Sequence, residues 1–128
     1  MYYTKKAILE QKNCFMFIDL HAHSKKKGIF MYGCQNRVSP YISRHIPYLF
    51  GKEINSFNYY QCNFGMKLGR EGTARLTVHH MLNLPYSYTM EHSFCSSIKD
   101  KFHYTTKHYT DIGKGICITL RKYFCGKD

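Results

Sequence analysis

The apolar positions of the chain fall into short runs typical of strands and longer stretches typical of helices. Residues 14–20 form an aromatic-rich apolar run, which predicts a strand buried on both faces. The run 29–32, closed by Gly33, predicts a second short strand. Residues 86–94 alternate between large, mostly apolar side chains and mostly small polar ones, which predicts a third strand.

Four further stretches have the apolar spacing or composition of helices. They are residues 3–12, 39–50, 73–82 and 105–125. Pro47 is expected to kink or shorten the second of these helices, and the aromatic segment 56–64 is predicted to be a strand or a loop. The resulting order of elements predicts an α/β fold, in which helices flank a mixed sheet.

Length and charge narrow the class of protein. With 128 residues, the chain has room for one domain with a core. Its 19 Lys and Arg residues against 8 Asp and Glu give a formal charge of +11. This excess of positive charge predicts a negatively charged partner. The candidates are nucleic acid, an anionic membrane surface and an acidic polypeptide. The longest basic run, Lys25–Lys27, closely follows two histidines.

The cysteines and the apolar runs indicate the compartment. The six cysteines form no CxxC pair and have no regular spacing. No basic leader with an apolar run opens the chain, and no apolar run approaches the roughly 18 residues of a membrane span. We therefore expect a reduced, soluble, cytoplasmic protein.

Two histidines, His21 and His23, stand at the end of the first predicted strand. Alternation along a strand points both imidazoles to the same side, and ligands of α/β proteins collect beyond the carboxyl ends of such strands. An imidazole on a rigid strand is a suitable metal ligand, because its position is fixed before the metal arrives. These residues alone are equally compatible with a pair of half-buried structural histidines.

Two further side chains are unusual for their positions. Glu91 lies inside the third predicted strand, where Glu is disfavoured, and a carboxylate there suits a general base. The alternative is a solvent-facing edge strand. Arg75 lies in the first turn of the third predicted helix, where the helix dipole disfavours a cation. That position suggests that Arg75 has a role other than stabilising the helix. The alternative is that Arg75 is a solvated surface arginine.

Four blocks of sequence together resemble the cytosolic carboxypeptidases, a branch of the zinc metallocarboxypeptidases that trims glutamates from tubulin and other acidic tails. The blocks are Asp19–Ser24 with Lys26–Lys27 and Phe30–Cys34, Cys62–Phe64, Glu71–Arg75, and Ser87–Glu91 with Ser93–Cys95. They follow the family's order at comparable spacing over nearly the whole chain. The resemblance implies that residues 1–128 form a single partial domain, roughly the C-terminal half of a zinc carboxypeptidase catalytic domain.

The resemblance also implies roles for particular residues. His21 matches the family's third zinc ligand, and Glu91 matches the carboxylate that moves a proton from zinc-bound water to the leaving amine. Arg75 is the candidate for pairing with an acidic substrate side chain, because a guanidinium matches a carboxylate bidentately. His23 is expected to support the metal ligand rather than to bind metal. The implied cofactor is one zinc ion, and the implied partner is an acidic polypeptide tail, with tubulin as a candidate, rather than a membrane or nucleic acid.

The chain departs from the family's pattern in its metal ligands. The family's other two ligands form an H-x-x-E pair upstream of this region, and an upstream Asn-Arg pair holds the terminal carboxylate of the substrate. None of the eight histidines here is followed by Glu at the third position after it. Since one ligand and one base cannot hold a catalytic zinc, the sequence predicts a truncated product that is inactive alone.

Two other functions stay open. The D-x-H-x-H-S string at 19–24 also resembles the first metal motif of polymerase-and-histidinol-phosphatase-type phosphoesterases, in which both histidines bind metal. Against that function, His45, His79 and His80 fall on predicted helices rather than on successive strands. The second alternative is a non-catalytic basic module that binds acidic tails or nucleic acid.

Overall fold

The structure is a computed structural model that describes residues 2–11, 13–24, 26–36, 38–66, 72–94, 96 and 103–126. Its helices are α1 (Tyr2–Glu10), α2 (Ile42–Glu53), α3 (Ala74–Leu82) and α4 (Thr106–Phe124), and its strands are β1 (Phe17–His23), β2 (Ile29–Tyr32) and β3 (Ser87–Ser93). A 3₁₀ turn, Tyr59–Gln61, lies between α2 and α3. Within the described ranges, no helix is both long enough and apolar enough to cross a lipid bilayer.

The three strands form one mixed sheet in the order β1-β3-β2, with β3 parallel to β1 and antiparallel to β2. The register pairs Asp19 with Thr89, and it pairs Glu91 with both His21 and Phe30. Register partners on neighbouring strands point to the same side of a sheet, so these side chains share one face. We call it the site face, and it carries Asp19, His21, His23, Phe30, Tyr32, Thr89, Glu91 and Ser93.

The opposite face of the sheet carries the main core. This core contains Ile29, Met31, Tyr88 and Met90 of the sheet, Ile46, Phe50 and Ile54 from α2 and its C-terminal cap, and Ile112 of α4. A smaller cluster packs Ile8 of α1 and Val78 of α3 against Phe17 at the start of β1. The sheet therefore lies between two layers of helices, which confirms the predicted fold class and the predicted order of elements.

Pro47 does not shorten α2, which continues to Glu53. A proline in a helix has no N–H to donate to the carbonyl four residues earlier, which here is the carbonyl of Ser43. The hydroxyl of Tyr88 donates to that carbonyl at 2.9 Å. The fully buried tyrosine thus satisfies the acceptor that Pro47 leaves open, and it ties α2 to the central strand.

One further prediction from the sequence is corrected. β1 is not buried on both faces, because it is the outer strand of the sheet and Leu20 is 67% exposed. Segment 56–64, which was predicted to be a strand or a loop, forms the 3₁₀ turn and two isolated bridges, which pair Phe57 with Ile29 and Asn63 with Tyr32. These bridges hold the segment against β2.

Replacing Gly33 by Ala is expected to lower the free energy of unfolding by about 1–3 kcal/mol. A Cβ at this position would lie 2.6 Å from Cδ1 of Phe64 and 3.3 Å from Cδ1 of Tyr88, and both rings are buried in the core. Urea unfolding measures the change. Gly72→Ala is the matched control, since its added Cβ meets no atom within 4 Å. Equal stability of the two variants would contradict the prediction.

Candidate active site

His21 and Glu91 lie side by side on the site face. They are register partners in the parallel pair of β1 and β3, and strands in a sheet lie about 4.8 Å apart. His21 is exposed and Glu91 is half-buried, so neither side chain lies in the apolar core. Because β3 is the central strand, Glu91 is not on a solvent-facing edge strand. The arrangement lets an imidazole and a carboxylate contact the same bound group.

Asp19 orients the imidazole of His21. The two residues lie on the same face of β1, and Oδ1 of Asp19 is 2.9 Å from Nδ1 of His21. When Nδ1–H donates to the carboxylate, the ring is fixed and Nε2 is left for a metal. Within the described residues, no group of three His, Cys, Asp or Glu side chains is placed to hold a metal ion. Among the described residues, the site therefore offers one candidate ligand position for a zinc ion.

His23 is held by contacts beside the site. Its Nδ1 accepts the backbone N–H of Lys26 at 3.1 Å, and its ring lies 5.1 Å from the ring of Phe30, centroid to centroid. Its Nε2 is buried and has no hydrogen-bond partner among the described residues. These contacts fit the predicted supporting role, which stays a prediction.

Arg75 is buried at the start of α3, with 6% of its surface exposed, so it is not a solvated surface arginine. Its Nη1 donates to the carbonyl oxygen of Gly33 and lies 3.4 Å from Sγ of Cys34. Burial raises the pKa of the Cys34 thiol, against a smaller lowering effect of the Arg75 charge. The thiol therefore stays neutral at pH 7 and does not compensate the guanidinium charge.

Arg75 faces a polar cleft of about 460 Å³. The cleft is also lined by Lys26, Tyr32, Tyr60, Gln61, Cys62, Asn63 and Gly65. The guanidinium carbon of Arg75 lies 6.0 Å from the centroid of the Tyr32 ring, and its buried Nε has no hydrogen-bond partner among the described residues. Because the described lining contains two cations and no carboxylate, the cleft suits an anionic ligand. Tyr32 lies on the site face, so the cleft and Glu91 open to the same side of the sheet.

The structure brings His21 and Glu91 together and places Arg75 in the adjoining cleft, while their roles in a reaction stay predictions. Sequence reasoning gave no role to Asp19, although its spacing of two residues from His21 on a strand was a usable signal. Gln61 was also missed. Its segment is held beside the cleft by two isolated bridges and by main-chain hydrogen bonds to β2, and sequence periodicity carries no signal for such contacts.

The structure gives little support to the two alternative functions, which are a phosphoesterase and a non-catalytic module that binds acidic tails or nucleic acid. In the aromatic segment 56–64, Phe57 and Phe64 are buried in the core and are not available to stack on bases, whereas Tyr60 is exposed. His45 lies on α2, and His79 lies on α3, where its Nδ1 is 2.8 Å from the carbonyl oxygen of Leu84. Three residues of the sequence motifs lie outside the described residues: Lys25, Glu71 and Cys95.

Comparison with known sequences gives matches along the whole chain. It is 34% identical to human cytosolic carboxypeptidase 2 over 137 aligned residues, which cover 100% of this chain and 15% of that protein. It is 33% identical to cytosolic carboxypeptidase 3 of Bos taurus over 139 residues, which cover 100% of this chain and 14% of that protein. The chain thus spans about a seventh of the length of these relatives. No family model matches the chain.

Comparison with solved structures supports the fold. The chain superposes on the crystal structure of a metallo-carboxypeptidase from Burkholderia cenocepacia with a TM-score of 0.78 and 15% sequence identity. The superposition covers 95% of this chain and 34% of that one. The described sheet and helices therefore correspond to about a third of that fold.

Proposed function

This chain belongs to the cytosolic carboxypeptidase family, and from that membership we propose that it supplies part of the active site of a cytoplasmic zinc carboxypeptidase. The proposed reaction removes C-terminal glutamates from acidic protein tails, with tubulin as a candidate substrate. The observation that carries the proposal is the pairing of His21 with Glu91 on one face of the sheet.

The proposed roles are those that the resemblance to the family implies, and the geometry is compatible with them. His21, held by Asp19 through Nδ1, is one of the zinc ligands. In such sites, bound zinc would polarise the scissile carbonyl and activate a water molecule. Glu91 is the general base, which removes a proton from the attacking water and passes it to the leaving amine. Its position on the central strand makes Glu91 the register partner of His21, on the same face of the sheet.

The polar cleft supports an acidic substrate. Nη1 of Arg75 donates a hydrogen bond to the carbonyl oxygen of Gly33. Its Nε is buried and has no hydrogen-bond partner among the described residues. A carboxylate that enters the cleft pairs with that charge and with Lys26 at the rim. A charge-assisted hydrogen bond of this kind contributes about 1.5–3 kcal/mol. The cleft is therefore the proposed site for the side chain of the terminal glutamate.

The test uses a hybrid domain, defined as human cytosolic carboxypeptidase 2 in which the matching segment is replaced by this chain. We expect the hybrid domain to release glutamate from a peptide that ends in several glutamates, and to lose this activity with a zinc chelator. We expect no release by the 128-residue chain alone, because its described residues provide one proposed imidazole ligand for zinc at this face. Hydrolysis of phosphate esters without peptide hydrolysis would favour the phosphoesterase function instead.

Replacing Arg75 by Met in the hybrid domain is expected to reduce the preference for terminal Glu over terminal Gln. The ratio of kcat/KM for the two peptides should fall by about 10- to 100-fold, which corresponds to the loss of one charged hydrogen bond. Lys114→Met removes an exposed cation from α4, on the other side of the sheet, and is the control. An unchanged ratio in the Arg75 variant, with the thermal stability retained, would remove Arg75 from the substrate site.

A second candidate function is binding of acidic tails without catalysis. The observation in its favour is that the cleft with Lys26 and Arg75 lies within this chain, whereas the described residues supply one ligand of the zinc site. Calorimetric titration of the chain with a polyglutamate peptide at two salt concentrations tests this function. Salt-sensitive binding, together with a hybrid domain that does not hydrolyse the peptide, would favour the binding module.

A further inference from the structure

Phe30 is an apolar side chain on an otherwise polar face. It is the register partner of Glu91 and, among the site-face residues defined above, it alone has no polar side-chain atom. Phe30 is also buried, with 2% of its surface exposed. Its ring centroid lies 5.1 Å from that of His23 and 5.5 Å from that of Tyr32, and Nζ of Lys26 lies over the ring at 4.8 Å. Phe30 therefore contacts both the end of β1 and the cation-lined cleft.

Lys26 is anchored at two points in this cluster. Its main-chain N–H donates to Nδ1 of His23 at 3.1 Å, and its ammonium lies over the Phe30 ring. The negative face of an aromatic ring attracts a cation in this position. Within the described part of the chain, no carboxylate pairs with this ammonium. One side of the ammonium therefore faces the ring, and its N–H donors are left for a ligand in the cleft that Lys26 lines.

The second cation of the cleft lies near the next aromatic ring of β2. The guanidinium carbon of Arg75 is 6.0 Å from the centroid of the Tyr32 ring. Phe30 and Tyr32 are two positions apart on one strand, so they share a face at a spacing of about 7 Å. Their rings meet edge to face, with an interplanar angle of 86°. Two aromatic side chains of one strand thus contact the two cations of the cleft.

We propose that Phe30 is a positioning residue of the cleft, which holds the ammonium of Lys26 where it pairs with the side-chain carboxylate of a terminal glutamate. An unrestrained lysine side chain populates many rotamers and loses this freedom when it binds a ligand. The contact with Phe30 restricts Lys26 before the substrate arrives, so less conformational entropy is lost on binding. The inference rests on the proposed function, because that function places the terminal glutamate in this cleft.

The test replaces Phe30 by Leu in the hybrid domain, which keeps an apolar side chain but removes the ring. The ratio of kcat/KM for peptides that end in Glu and in Gln should fall by about 2- to 5-fold, the usual effect of one exposed cation–π contact. The change should lie in KM for the Glu peptide, with kcat unchanged, since the proposed base Glu91 is retained. In a Lys26→Met background, Phe30→Leu should leave the ratio unchanged, because the ring then has no ammonium to hold.

Two comparisons separate positioning from packing. A phenylalanine with three ring fluorines at position 30 nearly keeps the shape of the side chain but withdraws negative charge from its face, so it should lower the ratio as Phe30→Leu does. Tyr48→Leu is the matched control. It removes the ring that lies 5.3 Å from Nζ of Lys52, a cation–π contact on α2, and it should leave the ratio unchanged.

NMR and calorimetry of the 128-residue chain test the contact without hydrolysis. The side-chain methylene protons of Lys26 should show an upfield ring-current shift that disappears in Phe30→Leu, and the affinity for a polyglutamate peptide should fall by a similar factor. Absence of this shift, an unchanged Glu-to-Gln ratio in the Phe30 variants, or an equal effect of Phe30→Leu with and without Lys26 would overturn the proposal. If the hybrid domain does not hydrolyse glutamate peptides but the shift and the affinity loss are found, the positioning role stands and the proposed function is rejected.

Discussion

Replacing Glu91 by Gln in the hybrid domain is expected to lower kcat by about 10²- to 10⁴-fold, which is the usual contribution of a positioned acid or base. Glutamine has nearly the shape of glutamate but does not accept a proton at neutral pH. Since Glu91 lies beside His21 on the site face but is not a proposed ligand, the zinc content should stay unchanged. Steady-state kinetics with a glutamate-ending peptide and measurement of bound zinc test both halves of the prediction.

Glu53→Gln is the control for this variant. Glu53 lies at the end of α2 and pairs with Lys122 at 2.7 Å, so its loss should leave kcat unchanged. If the Glu91 variant keeps its activity within a few-fold, Glu91 is not the base. If it loses zinc together with activity, its role lies in metal binding rather than in proton transfer.

Replacing His21 by Ala in the hybrid domain is expected to abolish stoichiometric zinc binding and, with it, hydrolysis. A catalytic zinc is held by three protein ligands, so removal of the His21 imidazole leaves two protein ligands. We expect the affinity for zinc to fall by more than about 100-fold, which exceeds the 10- to 100-fold loss typical when only the residue behind a ligand is changed. Competition with a chromophoric chelator measures the affinity.

Asp19→Asn provides the graded comparison for that variant. It keeps the side-chain size but weakens the acceptor that lies 2.9 Å from Nδ1 of His21, so zinc affinity should fall about 10- to 100-fold. His45→Ala, which removes an exposed imidazole from α2, should bind zinc normally. Normal zinc binding by the His21 variant would exclude this imidazole as a ligand.

Much of the fold was predictable because the strand and helix periods are clear. The alternation in residues 86–94 identified β3, and it put Glu91 on the face shared with small polar side chains. The run before His21 identified β1, but its exposure was predicted wrongly. A strand that is buried in a larger sheet and an outer strand of a smaller one have the same apolar sequence, so the burial of β1 depends on what pairs with its edge.

The surroundings of Arg75 were not predictable to the same extent. Its position in the first turn of α3 was a local signal that the helix does not favour it. Its burial depends on contacts with Gly33 and Cys34, more than 40 positions earlier in the chain. The cleft also requires the bridge between Tyr32 and Asn63. Such contacts between distant segments leave no periodic pattern, so they become visible only in the folded protein.

The parallel pairing of β1 with β3 has a consequence for how the chain folds. His21 and Glu91 are 70 positions apart in the sequence and become neighbours only when a loop of that length closes. Closing such a loop costs chain entropy before any strand contact compensates for it, and contacts of this separation form slowly. A newly synthesised or partly melted chain is therefore expected to keep its imidazole and its carboxylate apart, and the two groups should meet in one of the last steps of folding.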